Sequence, residues 1–251
     1  MRPYFETMNA FGRKVKENSK KRTQANVDEV RQVEQQIQDE VEKTKQFGLP
    51  EDKINARGQL TVWQRLEHLV DPGSFRPLHM LYNPAENTAC TTNVVDGLAQ
   101  IAGRWAVVVG FDNKFMAGAW VPGQSENMLR VTVLAKRLNV PLIWLVNCSG
   151  VKLDEQEKFY AGRRGSGTTF FRHAELEQMG IPVLAGIYGT NPAGGGYQGI
   201  SPTVLFAHKD CNIAVGGAGI VSGMSPKGSF DTESAEEQIG RASCRERVCH
   251  R

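Results

Sequence analysis

"GTNPAGGGYQGISP", residues 189–202, carries three consecutive glycines, Gly194 to Gly196, just after an apolar run, Val183 to Ile187. Glycine costs backbone entropy, so a triple glycine marks a place where something must come very close to the main chain. The pattern recurs on either side. Pro141 opens an apolar run, Leu142 to Val146, that ends in NCSGV, 147–151. Asn212 to Val215 is a third such run, ending in small residues within 213–223. A helix is expected near 170–179, ending at Gly180, and Pro182 opens the strand before the glycine loop. A further strand is expected at 117–121, followed by a helix near 124–138. Apolar runs alternating with helices indicate parallel strands with crossover helices, an α/β layered fold.

In open α/β sheets, ligands bind beyond the carboxyl ends of the strands. Backbone N–H groups there are free to donate, and two that converge on one point form an oxyanion hole. The loops 147–151 and 188–197 are therefore the places to look for chemistry.

Upstream, Thr61 to Gln64 reads as a capping box for a helix carrying Val62, Leu66, Leu69 and Val70, which Asp71-Pro72-Gly73 ends. A hairpin is expected around Ala102-Gly103-Arg104, with Trp105 to Gly110 as a buried strand. Earlier still, a polar basic lead (12–25) precedes a helix capped by Asn26, with a narrow stripe of Val30, Val33, Ile37 and Val41, stopped by Gly48 and Pro50. The expected organisation is an N-terminal helical arm over 1–60, a main domain over 61–238 and a foreign tail over 239–251. The tail is set apart because IGRASCRERV, 239–248, reads as translated sequencing adapter; the natural chain is expected to diverge after about Gln238.

At 251 residues, 40% apolar and 23% charged, the chain suits a soluble globular protein. No run approaches the roughly 18 apolar residues of a membrane span, and no secretory signal is expected. The net charge of +3 resides wholly in the tail, where Arg241, Arg245, Arg247 and Arg251 face only Glu246. It gives no reason to expect a nucleic-acid partner. Setting aside Cys244 and Cys249, the thiols Cys90, Cys148 and Cys211 are scattered, which suits a reducing cytoplasm and no zinc site.

Rival chemistries fit less well. Gly194, Gly196 and Gly199 match G-x-G-x-x-G after a strand, but no acidic residue ends the next strand to hold a ribose, and no lysine follows as in a P-loop. Cys148 and Ser149 sit at a strand end, but a nucleophile needs a base, and His68, His79, His173 and His208 lie in no recognisable signature. Asp154, Glu155 and Glu157 read as a solvated turn. What remains is backbone donors without an evident acid, base or nucleophile. That suits reactions in which a thioester becomes an enolate.

Four long segments carry a resemblance: NARGQLTVWQRLEHLVDPGSF, GAWVPGQSENMLR, NCSGVKLDEQEKFYAGRRGSGTTFFRHAELEQMGIPV and GIYGTNPAGGGYQGISPTV. Together they resemble the carboxyltransferase subunits of biotin-dependent enzymes, over most of residues 3–232. NCSGV stands where propionyl-CoA and methylcrotonyl-CoA carboxyltransferases have an acidic-start, double-glycine loop, which favours the glutaconyl-CoA decarboxylase branch. The resemblance implies a crotonase-like fold of repeated ββα units. It also implies a second, C-terminal domain for biotin, an active site shared between subunits of a homo-oligomer, and partners comprising a biotin-carrier subunit and membrane sodium-pump subunits. Localisation would be cytoplasmic, beside a membrane complex. The implied reaction moves a carboxyl group from glutaconyl-CoA to biotin and leaves crotonyl-CoA. Other acyl-CoA carboxyltransferases, a crotonase-type hydratase or isomerase and a non-catalytic acyl-CoA-binding fragment are the alternatives. By the same resemblance the oxyanion donors are the N–H groups of Val151 and Gly195, with Gly150, Gly194 and Gly196 lining the substrate. Arg163 and Arg164, flanked by Gly165 and Gly167, are candidates for a carboxylate or the coenzyme A phosphates.

Overall fold

The structure is a computed structural model and describes residues 12, 19–81, 92–152, 155, 157–160, 162–199, 201–214 and 248–249. The small-residue loop after Ala214, together with Cys90 and Asp154, lies outside the described residues. The chain divides into two compact units, Met1–Glu40 and Val41–Arg251. Most of helix α1 (Lys20–Gln46) falls in the first; the helix begins earlier than Asn26, and its stripe residues Val30, Val33 and Ile37 are exposed.

In the second unit, α2 (Glu51–Asn55) and α3 (Val62–Leu69) follow the last turn of α1. The capping box at α3 forms as the sequence predicts. The Thr61 hydroxyl accepts from the Gln64 N–H at 3.2 Å, and the Gln64 side chain accepts from the Thr61 N–H at 2.9 Å. Strands β1 (Arg76–Leu78), β2 (Val94–Ile101) and β3 (Arg104–Phe111) follow in antiparallel pairing. The predicted hairpin is β2–β3, closed by Ala102 and Gly103 at positive φ. Then β4 (Leu142–Val146), β5 (Val183–Ile187) and β7 (Val204–Ala207) extend the sheet in parallel from β3, with α4 (Gln124–Leu138) and α6 (Thr168–Gln178) as crossovers. Short β9 (Val248–Cys249), from the tail, pairs parallel to β7, completing the order β1-β2-β3-β4-β5-β7-β9.

Alternation along these strands sends side chains into two cores. Val107, Val109, Phe111, Trp144, Val146 and Ile187 pack with Met128, Val131 and Ala135 of α4 and Leu176 of α6. Val108 and Leu145 point the other way, onto Val62 and Leu66 of α3. A sheet covered on both faces explains why β4 and β5 read as unbroken apolar runs.

Two expectations change. Residues 117–121 do not form a strand. Met116, Ala117 and Gly118 all take positive φ, in a 3₁₀ turn, and Trp120 makes a single parallel bridge to Val151. The run Asn212–Val215 does not enter the large sheet. Its described part, β8 (Asn212–Ala214), pairs with β6 (Thr190–Pro192) in a separate two-stranded sheet. The place beside β5 goes to Val204–Ala207, whose Val204 and Phe206 are exposed, so its apolar signal is two-sided and short.

His173 is a core group. Its Nε2 accepts from Trp144 Nε1–H at 3.0 Å, so the neutral ring carries its proton on Nδ1, which donates to Ser201 Oγ at 2.8 Å. Burial lowers its pKa to about 4. The folded state therefore favours neutral His173, and its contribution is complete above the unfolded value near 6.5 and lost as pH falls towards 4. We expect wild type to lose about 3 kcal/mol through this group across that window. Denaturant titrations of wild type and His173→Gln at several pH values isolate it. An equal slope in both proteins would assign the acid sensitivity elsewhere, as Asp96 and Asp112, whose pKa values burial raises, act in the opposite sense.

Candidate active site

The two loops singled out by their small residues meet backbone to backbone. An alanine methyl at Gly195 would overlap the Cys148 carbonyl oxygen and lie 3.0 Å from the Gly150 nitrogen. Gly195 is therefore glycine because the NCSGV main chain occupies its side-chain position. The neighbouring glycines answer to other groups. At Gly194 a methyl would press on the Tyr160 hydroxyl at 2.6 Å and touch Val151 Cγ2 at 3.4 Å. At Gly196 it would meet Ile213 Cγ2 and the Asn191 carbonyl. All three lie in the 3₁₀ segment Ala193–Gly199 that follows β6, and all three are buried.

Asn191 fastens this contact. It is fully buried; its Oδ1 accepts from the Cys148 N–H at 2.8 Å, and its Nδ2 donates to the carbonyls of Tyr188 at 2.7 Å and Gly189 at 3.2 Å. One amide thus ties the end of β4 to the end of β5. The segment at 116–120 braces NCSGV from the other side. Ser149 N–H donates to Ala117 O at 3.0 Å and its hydroxyl to Met116 O at 2.8 Å. The bridge to Trp120 uses the Trp120 N–H with Gly150 O, and the Lys152 N–H with Trp120 O. The Val151 N–H is not part of that ladder.

Beneath both loops lies Arg65 of α3, 6% exposed. Its guanidinium stacks on the Tyr188 ring, 4.4 Å from the centroid. With the Asn147 amide oxygen turned towards it, the two terminal nitrogens donate at 3.0 and 3.2 Å. Burial lowers the Arg65 pKa to about 10. The cation so joins the first residue of each loop, Asn147 and Tyr188. In sequence Arg65 is one polar residue of an amphipathic helix, and Asn191 one polar residue of a turn; only the tertiary contacts reveal them.

Neither rival nucleophile is equipped. Cys148 is fully buried, burial raises its thiol pKa to about 12, and its Sγ lies 3.6 Å from Gly150 O. We expect Cys148 to stay unlabelled by iodoacetamide at pH 8 until the chain unfolds, because the thiolate is the reactive form. Peptide-resolved mass spectrometry checks this, and labelling in the native state would restore Cys148 as a reactive group. Among the described residues no three His, Cys, Asp or Glu side chains are grouped to hold a metal ion. No described helix is long and apolar enough to cross a membrane.

The arginines after α5 (Glu157–Tyr160) are exposed and separate in role. Arg164 forms a two-pronged ion pair with Glu126 of α4, its Nε lying 2.5 Å from Oε2. That pairing lowers the Glu126 pKa. Arg163 and Arg164 border an open groove that begins at Tyr160, beside Gly194.

The sheet whose strand ends present these paired loops lies within residues 53–245, which match the carboxyl transferase domain family. The chain belongs to it. It is 53% identical over 234 residues to glutaconyl-CoA decarboxylase subunit alpha of Acidaminococcus fermentans, covering 93% of this chain and 39% of that protein. It is 28% identical over 173 residues to a biotin-dependent 3-methylcrotonyl-coenzyme A carboxylase beta1 subunit of Mycobacterium tuberculosis, covering 66% of this chain and 32% of that one. The chain thus spans about two fifths or less of these relatives. Among solved structures, the beta subunit of Pseudomonas aeruginosa geranyl-CoA carboxylase aligns with TM-score 0.65 and 23% identity over 92% of this chain and 42% of that one. The transcarboxylase 12S core with methylmalonyl-coenzyme A aligns with TM-score 0.67 and 21% identity over 75% of this chain and 37% of that one. These two likenesses establish the crotonase-like fold expected from the sequence.

Proposed function

We propose that this chain supplies the acyl-CoA half of a carboxyltransferase site acting on glutaconyl-CoA. The observation that carries the reading is the backbone contact of Gly195 with Cys148 and Gly150, which sets Val151 beside the glycine loop. The N–H groups of Val151 and Gly195 hold the thioester oxygen. As the bond from the γ-carbon to its carboxyl group breaks, the electron pair moves through the double bond onto that oxygen. The two donors stabilise the dienolate, each worth about 3 kcal/mol by comparison with other oxyanion holes. Protonation at carbon then yields crotonyl-CoA. Gly150, Gly194 and Gly196 keep side chains out of the space the thioester needs. Biotin on a partner subunit would supply the nitrogen that accepts the carboxyl group, and the proton that nitrogen gives up would balance the one taken by carbon.

Support comes from the 53% identity to the decarboxylase subunit, against 28% to the methylcrotonyl-coenzyme A carboxylase subunit. The wider assembly expected with it comprises a homo-oligomer, a biotin carrier and sodium-pump subunits at the cytoplasmic face of a membrane. The test is to titrate crotonyl-CoA into ¹⁵N-labelled protein and follow the amides. Val151 and Gly195 are expected to shift most among loop residues. Saturable binding that leaves both amides in place would overturn the oxyanion assignment.

A further inference from the structure

Gly194 has no need of glycine for its own backbone, since it is not among the glycines at positive φ. What it makes room for is a side chain. A methyl there would come within 2.6 Å of the Tyr160 hydroxyl, 3.4 Å of Val151 Cγ2 and 3.7 Å of the Tyr197 ring edge. The Tyr160 hydroxyl thus lies beside the residue that precedes Gly195, where Val151 also closes in. Val151 and Gly195 are the two residues whose N–H groups hold the thioester oxygen in the reading above. Of the two tyrosines at Gly194, Tyr160 presents its hydroxyl and Tyr197 a ring carbon.

The hydroxyl is held in place there and has no partner. Tyr160 ends α5, and Phe159 before it is buried. Phe159 stacks on the buried Trp120 with ring centroids 5.7 Å apart, and the Tyr160 ring tilts against the same indole at 6.5 Å. Trp120 in turn gives its main-chain N–H to the Gly150 carbonyl. The tyrosine ring is therefore anchored to the loop that carries Val151. Its hydroxyl makes no hydrogen bond to any described residue. Tyr160 is 41% exposed, so a ligand at the loops can meet it. Partial burial, with Tyr197 and Cys148 adding to it, raises its pKa above the ordinary phenol value, so the group is an O–H donor at neutral pH.

We propose that the Tyr160 hydroxyl is a third donor to the thioester oxygen, beside the N–H groups of Val151 and Gly195. The assignment rests on the acyl-CoA reading above. No proton is transferred in this role. The phenol donates a hydrogen bond to an oxygen whose negative charge grows as the dienolate forms. A donor already in place stabilises that developing charge more than it stabilises the neutral thioester. On this assignment the glycine at 194 serves the chemistry twice. It leaves the thioester its space, and it lets the phenol reach the oxygen from the side opposite the main chain of Gly195.

The probe is 2,4-hexadienoyl-CoA, a conjugated thioester. Hydrogen bonds to its carbonyl oxygen draw charge along the chain and move its absorption to longer wavelength. Bound to this 251-residue chain, its absorption is expected to shift to the red. Tyr160→Phe removes the hydroxyl alone. It is expected to shrink the red shift and to weaken binding about two- to tenfold, the worth of one hydrogen bond. The ring contact with Trp120 stays, so the unfolding temperature should not move. Tyr197→Phe is the control and should leave the red shift whole. A full red shift in the Tyr160→Phe complex, or an equal loss in Tyr197→Phe, would overturn the assignment to Tyr160 and leave the two main-chain donors standing. A probe that fails to bind wild type, or binds it without any red shift, would instead sink the thioester reading itself, and the third donor with it.

Discussion

Gly195→Ala is expected to lose acyl-CoA binding and to unfold at a markedly lower temperature. The reason is steric and local. The added methyl would occupy the position of the Cys148 carbonyl oxygen, with the Gly150 nitrogen at 3.0 Å and the Cys148 carbonyl carbon at 3.1 Å. These are main-chain atoms, so no rotamer change relieves the overlap. They are also held in place, because Asn191 accepts from the Cys148 N–H and Ala117 accepts from the Ser149 N–H. Overpacking of well-ordered interiors costs about 1–3 kcal/mol, and the rigid backbone here puts the cost at the upper end. For a chain of this size, about 3 kcal/mol lowers the melting temperature by roughly 6–12 °C. The control is Gly167→Ala, at φ −59° with nothing within 4 Å of the new methyl, which should change little. Thermal unfolding and crotonyl-CoA titration of both variants decide the matter. A Gly195→Ala protein that melts and binds like wild type would show that the two loops are not apposed.

The sequence makes some of this site legible and hides the rest for physical reasons. Leu142–Val146 and Val183–Ile187 are read residue for residue, because a proline opens each and the covered sheet keeps both faces apolar. The α3 capping box is equally local, with both partners within three residues. The triple glycine announces a close approach but not its source, since the approaching group is the chain itself, more than forty residues upstream. Residues 117–121 mislead because GAWV alternates like a strand, whereas Met116, Ala117 and Gly118 take positive φ and the Gly118 main chain lies against the Asn147 carbonyl, contacts that no local pattern announces. Val204–Ala207 is missed because it is only four residues long and two of its side chains, Val204 and Phe206, are exposed. Arg65 and Asn191 have no local signature, since each earns its place through partners far off in sequence.

Asn191→Ala is expected to be at least as damaging as Gly195→Ala, although alanine fits the space. The buried amide satisfies three main-chain groups, the Cys148 N–H and the Tyr188 and Gly189 carbonyls. Alanine leaves the Cys148 N–H without the Asn191 oxygen that accepts from it, in a fully buried position. A buried donor or acceptor left unsatisfied costs about 1–3 kcal/mol, and the lost side-chain volume adds to that. A total of about 4 kcal/mol corresponds to roughly 8–16 °C in melting temperature. Asn191→Asp separates the two ends of the amide. It keeps an acceptor for Cys148 N–H but turns a carboxylate oxygen on the Tyr188 and Gly189 carbonyls, so it too should destabilise, and less at low pH, where the acid can donate. Water filling the alanine cavity would show as a small loss with acyl-CoA affinity retained, and that result would remove Asn191 as the tie between the loops. The double variant carries the sharper test. If Asn191 and Gly195 maintain one apposition, the second substitution acts on a contact already broken, and the combined loss falls short of the two single losses added together. Strict additivity would mean that the end of β4 and the glycine loop are stabilised independently, and the shared oxyanion site would lose its structural basis.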